Sequence, residues 1–200
     1  MMAIMTVSVT HKHGMLRVKY AIQIGEDVCI CLNLYAMSPI GPQTWHRDGY
    51  SITTDSSSIS LEQLNQIFSQ IDFSWGKPLS DTSLQTMIDS SECFALFQTD
   101  AETQSEAPRL VGFGRWITDY VTVVYVNDIY IMGEHRGKGL AKWMLSCMNE
   151  HLKKMPDLRG TIMIVEKGTP TELLYRRHFA MEDLEAPNIL LDRKGPGSTS

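Results

Sequence analysis

The chain has 200 residues, of which 43% are hydrophobic and 20% are charged, and its formal net charge is −5 at pH 7. This composition is ordinary for a globular protein with one well-buried domain, or one domain with an appendage. The negative balance argues against a nucleic-acid-binding surface, which needs clustered Lys and Arg.

Residues 1–48 are predicted to be an N-terminal extension. Apolar and polar residues alternate over residues 16–24, and a second apolar run follows at 28–35 after a turn, which indicates a β-hairpin. The four cysteines of the chain show neither zinc spacing nor a disulfide framework, so we expect reduced thiols.

Targeting and membrane segments are not expected. The N-terminus lacks the basic start and the long apolar core of a secretory signal. No apolar run approaches the ~20 residues that a membrane-spanning helix requires. We therefore expect a cytoplasmic protein with no membrane partner.

From residue 49 onward, short apolar strands alternate with amphipathic helices. Ser60-Leu-Glu-Gln63 is typical of a capping box that opens a helix, and a second helix fits residues 81–89. Thr169-Pro170-Thr-Glu172 is typical of another helix start. The strands are predicted at residues 50–54, 93–97, 109–117, 121–132, 161–165, 179–184 and 189–191.

A glycine loop joins the long strand at residues 121–132 to a helix that begins near Leu140. It contains Arg136, Gly137, Lys138 and Gly139. Such a loop has exposed backbone N–H groups and the positive end of a helix dipole, so a phosphate is the expected ligand. The spacing of the glycines excludes both the P-loop and the dinucleotide fingerprint.

Arg136-x-x-Gly139-x-Ala141 resembles the Q/R-x-x-G-x-G/A signature of the GNAT superfamily of acyl-CoA-dependent N-acyltransferases. Leu174-Tyr175-x-x-x-Phe179 is similar to a later family motif. The turn at residues 118–120 resembles the turn found at this place in a microbial and fungal subgroup of the family. Two departures are His178, where the family usually has glycine, and Gly133, where it commonly has proline. The resemblance covers residues 49–185.

The resemblance implies an α/β (α+β) chain with the GNAT fold. Its central sheet would be mixed and mostly antiparallel, flanked by helices, and splayed between the fourth and fifth strands of the fold, at residues 121–132 and 161–165. The N-terminal β-hairpin would be an addition to this fold. The acetyltransferase domain is expected at residues 49–192, followed by a disordered tail at 193–200.

The resemblance also implies acetyl-CoA as co-substrate and no metal. In the family, the glycine loop and the helix start hold the pyrophosphate of coenzyme A, and the main chain of the preceding strand pairs with the pantetheine arm as an additional strand. In this sequence these roles fall on Ile129, Tyr130, Ile131, Arg136, Gly137, Lys138, Gly139, Leu140 and Ala141.

Tyr175 is the candidate general acid, because the family often uses a tyrosine at this helix position to protonate the coenzyme thiolate. Asp128 is the candidate base, since it is ionisable and directly precedes the pantetheine strand. Packing of the last helix would explain Tyr175 as well, and capping of neighbouring backbone would explain Asp128.

Three further residues are candidates for contact with the acceptor substrate: Tyr125, Asn127 and Trp75. Strict strand alternation places Tyr125 and Asn127 on the face opposite Asp128, unless a bulge re-aims the carboxylate. Asn127 cannot take a proton but could order a water that does. Trp75 would wall the acceptor pocket, and plain core packing explains it equally well.

Two functions of different classes follow. The first is acetyl transfer from acetyl-CoA to a primary amine of a small molecule or peptide, by direct attack in a ternary complex, with no nucleic acid as partner. The second is a non-catalytic GNAT-like module that binds an acyl-CoA or assembles with a partner. In that case the N-terminal hairpin could pair edge to edge in a homodimer.

Overall fold

The computed structural model describes residues 4–12, 15–24, 27–35, 40–99 and 108–184. The chain divides into two compact units, Met1–Gln43 and Thr44–Ser200. The first unit is a three-stranded antiparallel sheet of order β1-β2-β3, formed by β1 (Ile4–Lys12), β2 (Met15–Ile24) and β3 (Asp27–Tyr35). The predicted hairpin is β2 with β3, whereas β1 was not predicted.

The second unit is built on a six-stranded sheet of order β4-β5-β6-β7-β8-β9. Neighbouring strands are antiparallel except for the parallel pair β8 and β9, which confirms the predicted mixed, mostly antiparallel sheet. The strands are β4 (Thr44–Arg47), β5 (Tyr50–Thr53), β6 (Glu92–Gln98), β7 (Arg109–Thr118), β8 (Val123–Ile131) and β9 (Gly160–Ile162). Strand β4 was not predicted.

Four helices accompany this sheet: α1 (Leu61–Phe68), α2 (Asp81–Asp89), α3 (Leu140–Leu152) and α4 (Pro170–His178). Three of them begin with a hydroxyl cap, because Ser60, Ser80 and Thr169 each accept a hydrogen bond from the backbone N–H three residues on. Within the described ranges, no helix is long and apolar enough to cross a membrane.

Two predicted strands need correction. The strand predicted at residues 179–184 is wrong, because the N–H groups of Phe179 and Met181 both donate to the carbonyl of Tyr175 and close the end of α4. Asp183 Oδ1 then lies 2.5 Å from Arg176 Nη2. The polar groups of this segment are therefore paired with α4 itself and not with a neighbouring strand. The strand predicted at 161–165 ends at Ile162, and the predictions at 189–191 and 193–200 lie outside the described residues.

Two glycines of β7 lie where a side chain would crowd its neighbours. A Cβ on Gly114 would lie 2.9 Å from Met144 Sδ of α3, and a Cβ on Gly112 would lie 2.8 Å from Ile131 Cδ1 and 3.0 Å from the carbonyl oxygen of Tyr130. Methionine can move aside, whereas a backbone carbonyl in the neighbouring strand cannot.

Gly112→Ala is therefore expected to lower the free energy of unfolding by about 1–3 kcal/mol through overpacking. Gly160→Ala is the matched control, because a Cβ there meets nothing within 4 Å. The control should change stability by less than about 0.5 kcal/mol. Urea unfolding of both variants measures the difference, and equal stabilities would contradict the packing role of Gly112.

Candidate functional site

The sheet opens between β8 and β9. The two strands pair only from Val123 to Tyr125 on β8, and the last pair is Tyr125 with Ile162. Beyond Tyr125, no strand among the described residues pairs with β8 on this side. On that edge, residues 129–131 therefore offer backbone groups to an extended ligand, apart from the carbonyl of Ile131, which accepts from Arg136, as the predicted splay requires.

A β-bulge lies at the beginning of this open edge. Phe113 of β7 pairs with Tyr130 and Arg115 pairs with Asn127, so two residues of β8 oppose Gly114 alone. Asp128 has a φ of +50°, and its N–H is held by the side-chain oxygen of Asn127 at 3.0 Å.

The bulge changes which residues share a face. Asn127 and Tyr130 now face the same side of the sheet, because their partners Arg115 and Phe113 are two residues apart on β7. Asp128 contacts Arg115 and so lies on that side too. Strict alternation, which separates Asp128 from Asn127, is therefore wrong at this point, and the bulge that could re-aim the carboxylate is present.

The glycine loop follows β8 directly. Gly133–His135 form a 3-10 turn, and Gly137 and Gly139 have φ values of +77° and +73°. Gly139 is the N-cap of α3. Unlike Ser60, Ser80 and Thr169, it has no side chain that could accept a hydrogen bond from the first turn of its helix. The first N–H groups of a helix lack intrahelical partners, so this start can receive an anion.

These features fit coenzyme A, the co-substrate that the sequence implies. An extended edge suits a pantetheine arm, and a left-handed glycine before an uncapped helix suits a diphosphate. The edge and the helix start are consecutive in the chain, as the two parts of such a ligand are. Within the described residues, no group of three His, Cys, Asp or Glu is placed to hold a metal ion.

The side chain of Arg136 is directed to the protein rather than to the helix start. Its Nε donates to the carbonyl of Ile131 at 2.9 Å, its Nη1 lies 2.6 Å from Asp72 Oδ2, and its guanidinium lies 5.0 Å from the ring centre of Tyr130. Arg136 therefore braces the loop. Its backbone N–H donates to the carbonyl of Gly133 at 3.2 Å, so the N–H groups left for a phosphate are those of the residues that follow it.

Lys138 is held by a short chain of hydrogen bonds. Its Nζ donates to Tyr50 Oη at 3.0 Å, which leaves the hydroxyl proton for His135 Nδ1 at 3.1 Å. Burial lowers the pKa of His135, and the nearby charge of Lys138 acts in the same direction, although Glu134 opposes both. A neutral His135 is the form that accepts this hydrogen bond.

Asp128 lies in a small polar cluster between the bulge and the loop after α1. Its Oδ2 accepts from Arg115 Nε at 2.5 Å, and its Oδ1 accepts from Trp75 Nε1 at 3.2 Å. Arg115 also donates to Ser91 Oγ at 3.0 Å. The Asp128 and Arg115 side chains are 10% and 11% exposed, so the pair is shielded from solvent, and each carboxylate oxygen keeps one lone pair for a further donor.

Tyr175 lies in α4 and is buried. Burial raises the pKa of its hydroxyl to about 12, so the phenol is protonated at neutral pH. Among the described residues, no side chain donates to or accepts from its hydroxyl. Asn149 of α3 donates to the carbonyl of His178 at 3.0 Å, which ties α4 to the helix that follows the glycine loop.

The structure thus brings some predicted residues together and not others. Trp75 contacts Asp128 directly, and Arg136 contacts both Tyr130 and Ile131. Within the described residues, no hydrogen bond joins Tyr175 to Asp128. Three residues of this region had no predicted role: Asp72, Tyr50 and His135. The basic Arg115 in a glycine-rich apolar strand was a signal that could have been used.

Known proteins resemble this chain in sequence. The family model described as "Acetyltransferase (GNAT) family" matches residues 61–179. A Gibberella zeae protein named "Putative acetyltransferase FG08082" is 32% identical over 152 residues, which cover 71% of this chain and 84% of that protein.

Solved structures show the same fold. A Xanthomonas campestris structure, described as "a putative acetyltransferase belonging to the gnat family", is 28% identical with a TM-score of 0.61, and the match covers 76% of this chain and 97% of that one. A second structure, from meticillin-resistant Staphylococcus aureus, is 18% identical with a TM-score of 0.55. That match covers 73% of this chain and 99% of the other chain. At that identity the second likeness concerns the fold alone.

Proposed function

This chain belongs to the GNAT acetyltransferase family, and from that premise we propose that it transfers an acetyl group from acetyl-CoA to a primary amine of a small molecule or peptide. The transfer is a direct attack of the amine on the thioester in a ternary complex. Acetyl transfer in general follows from the family, whereas the amine acceptor and the ternary complex are our proposal.

The donor side of the site consists mainly of backbone groups. The main chain of Ile129, Tyr130 and Ile131 would pair with the pantetheine arm at the open edge of β8. The N–H groups from Gly137 to Ala141 would hold the pyrophosphate, and Lys138 would add a positive charge beside it. When bound, acetyl-CoA supplies an activated acetyl group as a thioester.

The acceptor side lies at the bulge. Asp128 retains one free lone pair on each oxygen, so it could accept the proton of the incoming ammonium, directly or through a water ordered by Asn127. Trp75, which is 48% exposed, and Tyr125 would form the walls of the pocket. Tyr175 would donate its proton to the leaving thiolate sulfur, because a phenol with a raised pKa is protonated at neutral pH.

One observation carries this proposal. The free edge of β8 continues, through the glycine loop at residues 132–139, into a helix start that has glycine where the other three helices have a hydroxyl cap. A sheet edge and an uncapped helix start each have many uses, but their direct succession matches a ligand with an extended arm and a diphosphate. A cytoplasmic location and the absence of nucleic-acid and membrane partners belong to the same proposal.

A panel of amines with acetyl-CoA, read by the appearance of free thiol, tests the activity. A melting-temperature shift with coenzyme A tests the donor site separately. We expect coenzyme A to stabilise the protein and at least one class of primary amine to release thiol above the rate without acceptor. Absence of any affinity for coenzyme A would overturn the proposed function, whereas binding without turnover would favour the non-catalytic module.

A further inference from the structure

The loop between α1 and α2, residues 69–80, is tied to the glycine loop through one carboxylate. Asp72 accepts from Tyr130 Oη at 2.5 Å with one oxygen and lies 2.6 Å from Arg136 Nη1 with the other. The same Arg136 is anchored by its Nε to the carbonyl of Ile131. Asp72 therefore connects this loop to the last residues of β8 and to the first residue of the family signature.

The same loop is tied to β8 a second time. Trp75 Nε1 donates to Asp128 Oδ1 at 3.2 Å, and the Trp75 ring lies 4.5 Å from that of Phe73 between centroids. Phe73 is buried against Phe68 of α1 at 4.8 Å and meets the edge of Tyr130 at 5.5 Å. The loop is thus held at Asp72 beside the glycine loop and at Trp75 beside the bulge, with Phe73 as the packed point between them.

We propose that Asp72 is a positioning residue that holds Trp75 against the acceptor site by fixing the α1–α2 loop to Arg136 and Tyr130. This inference rests on the proposed function, and it goes beyond it by assigning acceptor recognition to a residue outside both motifs. Asp72 does not touch the reacting atoms. It sets the place of the aromatic wall by binding to Arg136, which its own hydrogen bond to the carbonyl of Ile131 holds in the glycine loop without Asp72.

The charge state of the carboxylate supports this role. The hydrogen bond from Tyr130, followed by that from Arg136, lowers the pKa of Asp72, so the group is ionised at neutral pH. The hydrogen bond to Asp72 also raises the pKa of Tyr130, after burial as the larger cause, and keeps the phenol as a donor. Both ties therefore exist together over the physiological pH range.

The test uses Asp72→Asn and Tyr130→Phe, with Asp89→Asn as the matched control. Asp89 is an exposed carboxylate of α2 that accepts from Gln85. Trp75 fluorescence is isolated by subtracting the same variant carrying Trp75→Phe, and its quenching by acrylamide is measured. Asp72→Asn should raise the quenching constant about twofold, because Trp75 is 48% exposed when held and would approach full exposure when the loop is released.

Kinetics provide the second readout. With the panel amine that turns over fastest, Asp72→Asn should raise the acceptor KM by about threefold to fivefold, because the Asp72 and Arg136 side chains are 44% and 48% exposed and solvent weakens their pairing. The dissociation constant of coenzyme A should not rise, because the main chain rather than the Arg136 side chain receives the diphosphate. Tyr130→Phe removes one of the two ties without removing charge and should show the same pattern with a smaller amplitude.

Several outcomes would overturn the inference. Quenching equal to that of Asp89→Asn in both variants would show that the loop keeps its place without Asp72. Weaker coenzyme A binding with unchanged quenching would assign Asp72 to the donor side. Failure of the wild-type protein to bind coenzyme A would contradict the proposed function instead. The quenching experiment would still show whether Asp72 holds the α1–α2 loop in place.

Discussion

Tyr175→Phe is expected to lower turnover by about 100-fold or more, the usual contribution of a positioned general acid. The affinity for coenzyme A should stay within about twofold of the wild type, because the hydroxyl lies in α4, outside the open edge and the glycine loop. Phenylalanine keeps the buried ring and its packing, so a loss of turnover reports on the proton alone. Single-turnover thiol release and coenzyme A titration measure the two quantities.

The matched control is Tyr120→Phe, which removes a different phenol that donates to the buried Glu92 at 3.0 Å. This variant should lose stability but not turnover, since Tyr120 lies in the turn between β7 and β8. Unchanged turnover in Tyr175→Phe would remove this residue from the mechanism and leave only its packing role.

The pH dependence provides an independent test of the same assignment. A general acid must be protonated, and burial raises the pKa of Tyr175 to about 12. The protonated fraction is therefore complete at neutral pH and falls only as the pH rises through this raised value. Turnover should show no loss from deprotonation of Tyr175 up to about pH 10, and a fall near pH 8 that disappears in Tyr175→Phe would contradict the raised pKa.

Local signals in the sequence were sufficient for the glycine loop and the helix starts. Ser60 and Thr169 cap their helices as predicted, and Gly139 of the predicted glycine loop directly precedes α3 with a positive φ. These features depend on residues within one turn of each other, so spacing alone determines them. The open edge of β8 could be expected only through the resemblance to a family.

The acceptor side depends on contacts between distant parts of the chain, which spacing does not encode. In the sequence, Asp72 is an ordinary acidic residue between two predicted helices, and Arg136 is the first residue of the family signature. Only the fold brings Asp72 Oδ2 within 2.6 Å of Arg136 Nη1. The bulge at Asp128 was a possibility rather than a prediction, because alternation describes a regular strand. Gly114, which opposes the bulge and admits Met144 from α3, was the residue that could have marked it.

The strand prediction for the segment after α4 was wrong for a related reason. Residues 179–184 have apolar residues at strand spacing, but Ala180 has a φ of +51° and the backbone of this segment closes the helix instead. A periodic pattern over so few residues does not distinguish a strand from a helix end. Arg176, with Glu172 on one side and Asp183 on the other, stabilises this turn by ion pairs that no hydropathy pattern contains.

Gly139→Ala is expected to lower the affinity for coenzyme A by about 100-fold, or about 2.7 kcal/mol. A Cβ at this position costs about 1–2 kcal/mol in the left-handed conformation, which Gly139 adopts with a φ of +73°. If the loop relaxes to avoid this strain, its N–H groups turn away from the diphosphate, and each lost contact to a charged group costs about 1.5–3 kcal/mol. Titration calorimetry with coenzyme A measures the loss.

Gly133→Ala is the matched control for this prediction, because Gly133 lies in the same loop without a positive φ, and a Cβ there meets nothing within 4 Å. The Cβ of Gly139→Ala would itself meet only the guanidinium of Arg47, with Nη2 at 3.8 Å and Nη1 at 3.9 Å, so crowding inside the protein does not explain a loss of affinity. The difference between the two variants therefore isolates backbone conformation at the helix start. Equal affinities for coenzyme A in both variants would contradict the proposed diphosphate site at this helix start.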